Sequence, residues 1–328
     1  MKNYFSFFIL FILVNLAAKA QQEPLFSNYM FLRTVTNPGF VGAEKTINAT
    51  FCNRTMFAGF EGKPVTSTFG VEAPVDLFGK KTGIGIVMMS DKIGFQQIVK
   101  VDLSFAYHHN LKNGTLGFGL TLGLNNYSID PTWNSEISAD GSAHTWPTSS
   151  SDDPLLPPSF STLDLGIGFG AYYETPQYYL GLSASNLNQA KISHTTEAGI
   201  ETVYLYYSAE YKLSGAYNIE MHDPLFDLRP SFILRSDLAA YMLDLNATIF
   251  YKKRYWAGFG LRVSPKNIAS FTLLAGTELF NGLNIGYALD INTSSMIYNG
   301  ATSHEVIITY SFNIDTKRDM KYKSVRYL

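Results

Sequence analysis

The sequence predicts an all-β fold, a transmembrane antiparallel β-barrel of about 14 strands, and three observations carry that expectation. The first is alternation: from Gly114 to Tyr127, Leu116, Phe118, Leu120, Leu122 and Leu124 share one phase while Gly117, Gly119, Thr121 and Gly123 share the other. Successive side chains of a strand point to opposite faces, so this stretch is a strand with one greasy face and one small or polar face. The pattern recurs at Leu163, Leu165, Ile167 and Phe169 against Asp164, Gly166, Gly168 and Gly170, and at Leu283 to Ile291 against Asn284, Gly286, Ala288 and Asp290. The second is composition: aromatics reach 15% while charged residues are only 16%, a balance that suits a surface facing lipid. The third is that, after residue 20, no apolar run reaches the roughly 18 residues of a spanning helix. A membrane protein without such helices has to close its strands into a barrel, which alone satisfies every backbone donor and acceptor in hydrocarbon.

Taken from the start, residues 1–20 read as a signal peptide. Lys2 gives a positive flank, Phe5 to Leu16 an apolar core, and Ala18-Lys19-Ala20 a small-x-small cleavage signal ahead of Gln21. Residues 21–44 follow, with Pro24, Asn37-Pro38-Gly39 and several aromatics but no clean period, which suits a periplasmic segment or one tucked into the lumen. The barrel is expected over 45–314, with strands near 45–54, 65–74, 81–91, 95–109, 114–127, 160–173, 177–187, 201–212, 226–236, 240–251, 253–263, 268–279, 282–293 and 303–314. Connections alternate between short turns on one side, with Asn113-Gly114 and Asn281-Gly282 as favoured hairpin dipeptides, and longer loops at 128–159, 188–200 and 294–302 on the other. The long 213–225 connection breaks this rule, since it falls on the short-turn side. Residues 315–328 form a basic tail, with Lys317, Arg318, Lys321, Lys323 and Arg326 against Asp315 and Asp319, read as periplasmic.

Aromatics bunched at strand ends, Tyr172, Tyr173, Tyr178 and Tyr179 around one turn and Tyr251, Tyr255 and Trp256 around another, read as girdles at the lipid-water boundary. Asp102, Asp164, Asp244, Arg262 and Asp290 share the phase of the small residues, as does Glu305, and are expected to line the interior, where they pair with each other or with water.

Several function classes find no support. The net charge of −2 offers no basic field for nucleic acid. One cysteine, Cys52, excludes an intramolecular disulfide framework. The glycine runs at 117–119 and 166–170 lie inside strands, so the strand-to-helix context of a phosphate-binding loop is missing. The six histidines show no ligand spacing, and no Gly-x-Ser-x-Gly elbow appears, so neither a metal nor any other cofactor, nor a catalytic site, is expected.

The two ends of the chain make it recognisable. Gln22-Glu23-Pro24-Leu25-Phe26-Ser27-Asn28-Tyr29-Met30-Phe31 and then Asn37-Pro38-Gly39-Phe40-Val41-Gly42 resemble the opening signature of the PorP/SprF family of type IX secretion membrane proteins. Three further stretches agree in order: Ala58-Gly59-Phe60-Glu61-Gly62-Lys63-Pro64, Ser90-Asp91-Lys92-Ile93-Gly94, and Ser303-His304-Glu305-Val306. The sequence departs at Phe57, where Trp is common in the family, and at Thr302, where Gly is common. The resemblance implies an outer-membrane barrel of the Bacteroidota type IX secretion and gliding apparatus. Such a protein partners a secreted surface protein, often an adhesin, and periplasmic components of the machine, by binding and without catalysis. The contact candidates it implies are Phe26, Ser27, Tyr29, Met30, Asn37, Pro38, Gly42, Gly59, Phe60, Gly62, Asp91, Lys92, His304 and Glu305. Two alternatives stand beside it: a transport barrel, porin-like or for hydrophobic solutes, with the N-terminal segment as plug, and a soluble β-sandwich, which also alternates but would expose too many Leu and Phe.

Overall fold

In the computed structural model, the described residues are 23–44, 46–130, 159–189, 191–195, 201–206, 208–265, 267–280, 282–293 and 302–313. The strands are β1 (Thr46–Thr55), β2 (Val65–Leu77), β3 (Lys80–Ile93), β4 (Gln96–Leu111), β5 (Gly114–Ile129), β6 (Phe160–Glu174), β7 (Tyr178–Ser185), β8 (Lys191–Thr195), β9 (Glu201–Tyr206), β10 (Glu210–Tyr217), β11 (Ile219–Glu220), β12 (Phe226–Ser236), β13 (Tyr241–Tyr251), β14 (Tyr255–Val263), β15 (Ile268–Phe280), β16 (Leu283–Asn292) and β17 (Thr302–Asn313). Fourteen of them form a closed antiparallel wall. Consecutive wall strands pair with one another, β7 passes directly to β10 and β10 to β12, and β17 returns to β1 from Thr46↔Asn313 to Thr55↔His304. Closure leaves the wall without the open edges that a flat sheet would present.

Alternation decides which way the wall faces. In β5, Phe118, Leu120, Leu122 and Leu124 are exposed while Gly117, Gly119, Gly123, Asn125 and Tyr127 are buried. The exposed set continues around the outside with Phe69, Met88, Leu103, Leu163, Leu180 and Leu273. A solvated surface would not carry so continuous an apolar band, and a bilayer requires one. The soluble sandwich is thereby ruled out. At the lower rim, where β1 begins and β17 ends, several connections are tight: Phe78 and Gly79 take positive φ between β2 and β3, as do Lys252 and Lys253 between β13 and β14.

The expected strand at 201–212 is corrected. Residues 201–206 pair instead with 191–195 in a separate two-stranded sheet above the wall, and the wall strand is Glu210–Tyr217. The aromatic run at Tyr204 to Tyr211 satisfies a two-residue period in either place, so alternation could not locate the break. The irregular lower connection is correspondingly shorter than 213–225, and β11 extends it by pairing Ile219↔Leu228 and Glu220↔Asp227. The 128–159 loop, the 294–302 loop, the signal peptide and the 315–328 tail fall wholly or mostly outside the described residues.

The interior differs from the water-filled space that a small, polar inner face suggests. Residues 23–44 run through it as a strap with a 3-10 turn at Tyr29–Phe31, one α-helical turn at Arg33–Thr36 and a second 3-10 turn at Pro38–Phe40. Tyr29 and Met30 pack on Ile233, Phe250, Trp256 and Leu274, and Phe26 and Leu32 on Cys52 and Ile307. Part of the expected aromatic girdle is corrected with this. Tyr172 and Tyr179 face inward and sandwich Phe40, with ring centroids 4.1 and 5.3 Å away, and Trp256 lies 4.7 Å from Phe31. Adjacent residues of a strand cannot share a face, so only Tyr173, Tyr178, Tyr251 and Tyr255 remain on the outer side.

Candidate functional site

The strap is held at three levels, and its contacts explain its sequence. Lowest lies the Asn37 to Glu44 section. The Asn37 side chain accepts from the Gly39 backbone N–H at 2.8 Å and donates to the carbonyls of Ala171 and Leu182 at 3.0 and 3.1 Å, tying the turn to β6 and β7. Pro38 supplies a fixed φ at the first position of that turn. The inward glycines of β3, β5 and β6 are the seat beneath it: a Cβ on Gly83 would collide with the Val41 carbonyl, one on Gly119 with the Pro38 carbonyl, and one on Gly170 with Asn37. Arg33 pairs with Glu44 at 2.5 Å and Glu174 at 3.2 Å, and its guanidinium lies over the Phe40 ring at 5.2 Å. Burial works against that charge, but Glu174 and Glu44 outweigh it and hold Arg33 more firmly protonated than a free arginine.

At mid-height the strap crosses a buried ionic network. Glu305 of β17, 0% exposed, accepts from the backbone N–H groups of Ser27 and Asn28, each at 2.8 Å. The same carboxylate receives Arg54 of β1 at 2.9 Å, and Arg54 also meets Asp290 of β16 at 2.5 Å. Arg262 of β14 joins Asp290 at 3.4 Å to Asp244 of β13 at 2.7 Å, and Arg235 of β12 closes on Asp244 at 2.6 Å. The Ser27 hydroxyl sits at the centre, donating to Asp290 at 2.8 Å and accepting from Arg54 and Arg262 at 3.0 and 3.2 Å. Three guanidinium groups thus balance three carboxylates. Burying so many charges is tolerable only because each is paired and hydrogen-bonded, and removing one partner leaves another stranded in low dielectric.

The upper level centres on Glu23, which meets Lys212 at 2.5 Å and Lys100 at 3.8 Å and accepts from the Asn186 amide at 2.9 Å. Burial alone would raise its pKa, but Lys212 and Lys100 together hold the carboxyl well below the usual range. Spaces remain on both sides of the strap. A cavity of about 70 Å³ opens below, lined by Arg33, Glu44, Glu72 and Asn48 among others, and one of about 40 Å³ lies above, beside Glu23, Lys100, Asp102 and Lys212.

Of the residues singled out from sequence, Phe26, Ser27, Tyr29, Met30, Asn37, Pro38 and Gly42 lie buried in the lumen. Ser27, Glu305, Asp244, Arg262 and Asp290 meet in the ionic network, so two stretches of sequence 278 positions apart come into direct contact. Asp102 belongs to the upper level through Lys100 at 3.2 Å, and Asp164 is the cross-strand partner of Asn125, which in turn stands opposite Lys100. Gly59, Phe60 and Gly62 are set apart at the upper rim, where the Gly62 carbonyl accepts from the Gly94 N–H at 2.9 Å. Asp91 points inward and accepts from Thr66 at 2.6 Å, while Lys92 is exposed. His304, next to Glu305, necessarily faces the other way and bonds the Tyr287 hydroxyl at 2.6 Å. Sequence reading missed Arg54 and Arg235. Asp244, Asp290 and Glu305 against Arg262 alone left an inward charge surplus, and that imbalance was the available signal. Among the described residues no group of three His, Cys, Asp or Glu side chains could hold a metal ion.

A family model described as type IX secretion system membrane protein PorP/SprF matches residues 18–310 of this chain. No curated protein matches it. Among solved structures, the CymD monoaromatic hydrocarbon channel is similar at 9% identity and a TM-score of 0.48, covering 92% of this chain and 96% of that one. An outer membrane protein of Acinetobacter baumannii matches at 5% identity and a TM-score of 0.46, covering 83% of this chain and 100% of that one. The toluene transporter TodX of P. putida matches at 10% identity and a TM-score of 0.42, over 83% and 89% of the two chains.

Proposed function

Since this chain belongs to the PorP/SprF family of type IX secretion system membrane proteins, we propose that it works in the outer membrane as a closed binding barrel, helping one secreted surface protein, an adhesin, to leave the cell or stay attached to its face. The observation that supports this reading is the strap. A barrel whose lumen is packed with apolar side chains and pinned by a neutral, fully buried ionic network is built to hold a shape, while a diffusion pore needs a wet path lined by polar groups. Work by binding then falls to the two rims. The upper connections, extended by the β8–β9 hairpin, would face outward and hold the passenger. The lower rim, with the 315–328 tail, would meet periplasmic components of the machine. The signal peptide at 1–20 delivers the chain to that membrane. Catalysis has no part in the scheme, and no cofactor is required.

Deleting the gene tests the reading. The expected result is loss of one surface protein from the cell face, with the outer membrane as impermeable to small dyes as before. Normal surface display in the deletion strain would overturn it, and a steady current through the purified native barrel in a planar bilayer would favour the transport alternative.

A further inference from the structure

One lower turn is charged without being paired. Lys252, Lys253 and Arg254 join β13 to β14 and are all exposed, and none of them is in an ion pair among the described residues. Two carboxylates of the adjoining connections bond backbone instead: Glu278 accepts from the Gly282 N–H at 3.0 Å and Asp223 from the Leu225 N–H at 2.9 Å. The turn closes through the Arg254 N–H on the Tyr251 carbonyl at 3.1 Å, with positive φ of 53° and 54° at its two central lysines. Asn and Gly are the usual residues at such a pair of positions. Lysine at both is unfavourable to the backbone, so what the turn gains from them is charge.

Those charges sit on the outside of the wall. Phe226, Tyr251 and Tyr255 share the outward phase and pack in a row, with successive ring centroids 5.0 and 6.5 Å apart. The Lys252 ammonium lies over the Tyr251 ring at 5.2 Å and the Arg254 guanidinium over the Tyr255 ring at 5.5 Å. Arg254 is also held by the carbonyls of Glu278 and Leu279, at 3.0 and 3.3 Å, which leaves three of its five N–H donors unused. Directly above, the outward residues are small: Ala257 of β14 faces Ala275 of β15, with Ile249 and Tyr287 to the sides. A shallow apolar dip thus rises from the cationic turn into the lipid-facing band. Another aromatic row at the same rim, Tyr173, Tyr178 and Tyr217, carries no cation among the described residues, so the charge is not a general property of the girdle.

We propose that this place binds an anionic glycerophospholipid, its phosphate on Lys252, Lys253 and Arg254 and an acyl chain along the Ala257 and Ala275 dip. Cations on outward rings meet whatever borders the wall at the lower edge of its apolar band, which in a bilayer is the headgroup layer. Three positive charges with no acid among them favour a headgroup of net negative charge over a zwitterionic one. An acidic protein docking from below would leave the rings and the dip unused. The inference needs only the membrane-spanning wall, so its test stands apart from whether a surface protein is displayed.

Spin-labelled lipids in phosphatidylcholine vesicles carrying the native barrel read this directly. Labelled phosphatidylglycerol should associate with the protein about fivefold more strongly than labelled phosphatidylcholine, measured as the immobilised fraction of each spectrum. Lys252→Gln with Arg254→Gln should bring the ratio close to one, while Lys112→Gln, at an exposed lysine of another lower turn, should leave it unchanged. Should loss of the Arg254 bonds unsettle the turn, Lys252→Gln with Lys253→Gln keeps those bonds and should still lower the ratio at least about twofold. Equal immobilisation of the two lipids by the native barrel, a ratio unmoved in both folded double variants, or a fall of the same size in Lys112→Gln would each overturn the proposal. Displacement of the labelled lipid by inorganic phosphate would overturn it in favour of a site for free anions, and displacement by polyglutamate in favour of a protein-facing surface.

Discussion

Truncating Glu305 to alanine should release the strap without opening the wall. The carboxylate accepts two consecutive backbone N–H groups of the strap at 2.8 Å and pairs with Arg54 at 2.9 Å, in a place closed to water. Two N–H groups left bare cost about 1–3 kcal/mol each, and a buried ion pair that loses one partner costs about 3–5 kcal/mol. The same oxygens serve both roles, so the two costs overlap, and about 3–5 kcal/mol is the expected loss of docking stability. At about 1.4 kcal/mol per factor of ten, the released state gains roughly two to four orders of magnitude in population. The ladder from β16 to β17 to β1 involves backbone groups only and should survive. Planar-bilayer recording of the native barrel should show silence, and Glu305→Ala should show openings. With Trp133 and Trp146, the other two tryptophans, replaced by Phe, Trp256 fluorescence should report the loss of Phe31 in the same variant, because the two rings are 4.7 Å apart when docked. Glu305→Gln keeps one acceptor and should fall between. A folded Glu305→Ala barrel that is as silent as the native one, with unchanged Trp256 emission, would refute the claim that this carboxylate fastens the strap.

Two other expectations follow from the same contacts. Gly119→Ala places a methyl against the Pro38 carbonyl and the Gly39 nitrogen, so the Asn37 to Val41 turn should lift at a cost of about 1–3 kcal/mol; a protease digest that still leaves this turn uncut in the folded variant would count against the seat. Glu23 has a depressed pKa, so its contribution is complete above the unfolded carboxyl value of about 4.3 and is lost as pH falls through the lower folded value. A spin label at Leu25 should accordingly stay immobile at pH 5 and above and loosen only in stronger acid, a transition that Glu23→Gln should abolish; loosening near neutrality would contradict the sign.

The wall was legible in the sequence because one rule, the period of two, governs it throughout. No single position had to carry the reading: the phase of Phe118, Leu120 and Leu122 fixes the outer face of β5, and the neighbouring strands repeat it. What alternation does not reveal is the reason a face is small. Gly83, Gly119 and Gly170 looked like relief of crowding among wall side chains, whereas Gly83 and Gly119 are small because the strap's backbone lies on them, and Gly170 because the Asn37 and Pro38 side chains do. The same limit applies to Tyr172 and Trp256, whose neighbours in sequence are true outer aromatics. The order of the network was hidden for a different reason. Arg54 and Arg235 come from β1 and β12, and only closure of the barrel around the strap brings them to Asp290 and Asp244.

That closure ties the strap to the folding of the wall. Ser27 touches side chains from β1, β14, β16 and β17, the strands on either side of the seam where the last strand meets the first. A sheet whose seam was still open would hold Arg54 apart from Asp290 and Glu305, leaving charges of both signs unpaired at its margin. Joining β17 to β1 assembles these charges and the strap's two N–H groups in one step, so seam closure and strap docking stabilise each other. A strap fastened in this way also fixes the relative positions of the two rims, since Glu23 contacts Asn186 and Lys212 above, while Glu44 accepts from Asn48 and the Gly42 N–H donates to Glu72 below. For a barrel that acts by presenting fixed binding surfaces on both sides of a membrane, a rigid interior is the useful one, and an open pore through it would add only leakage.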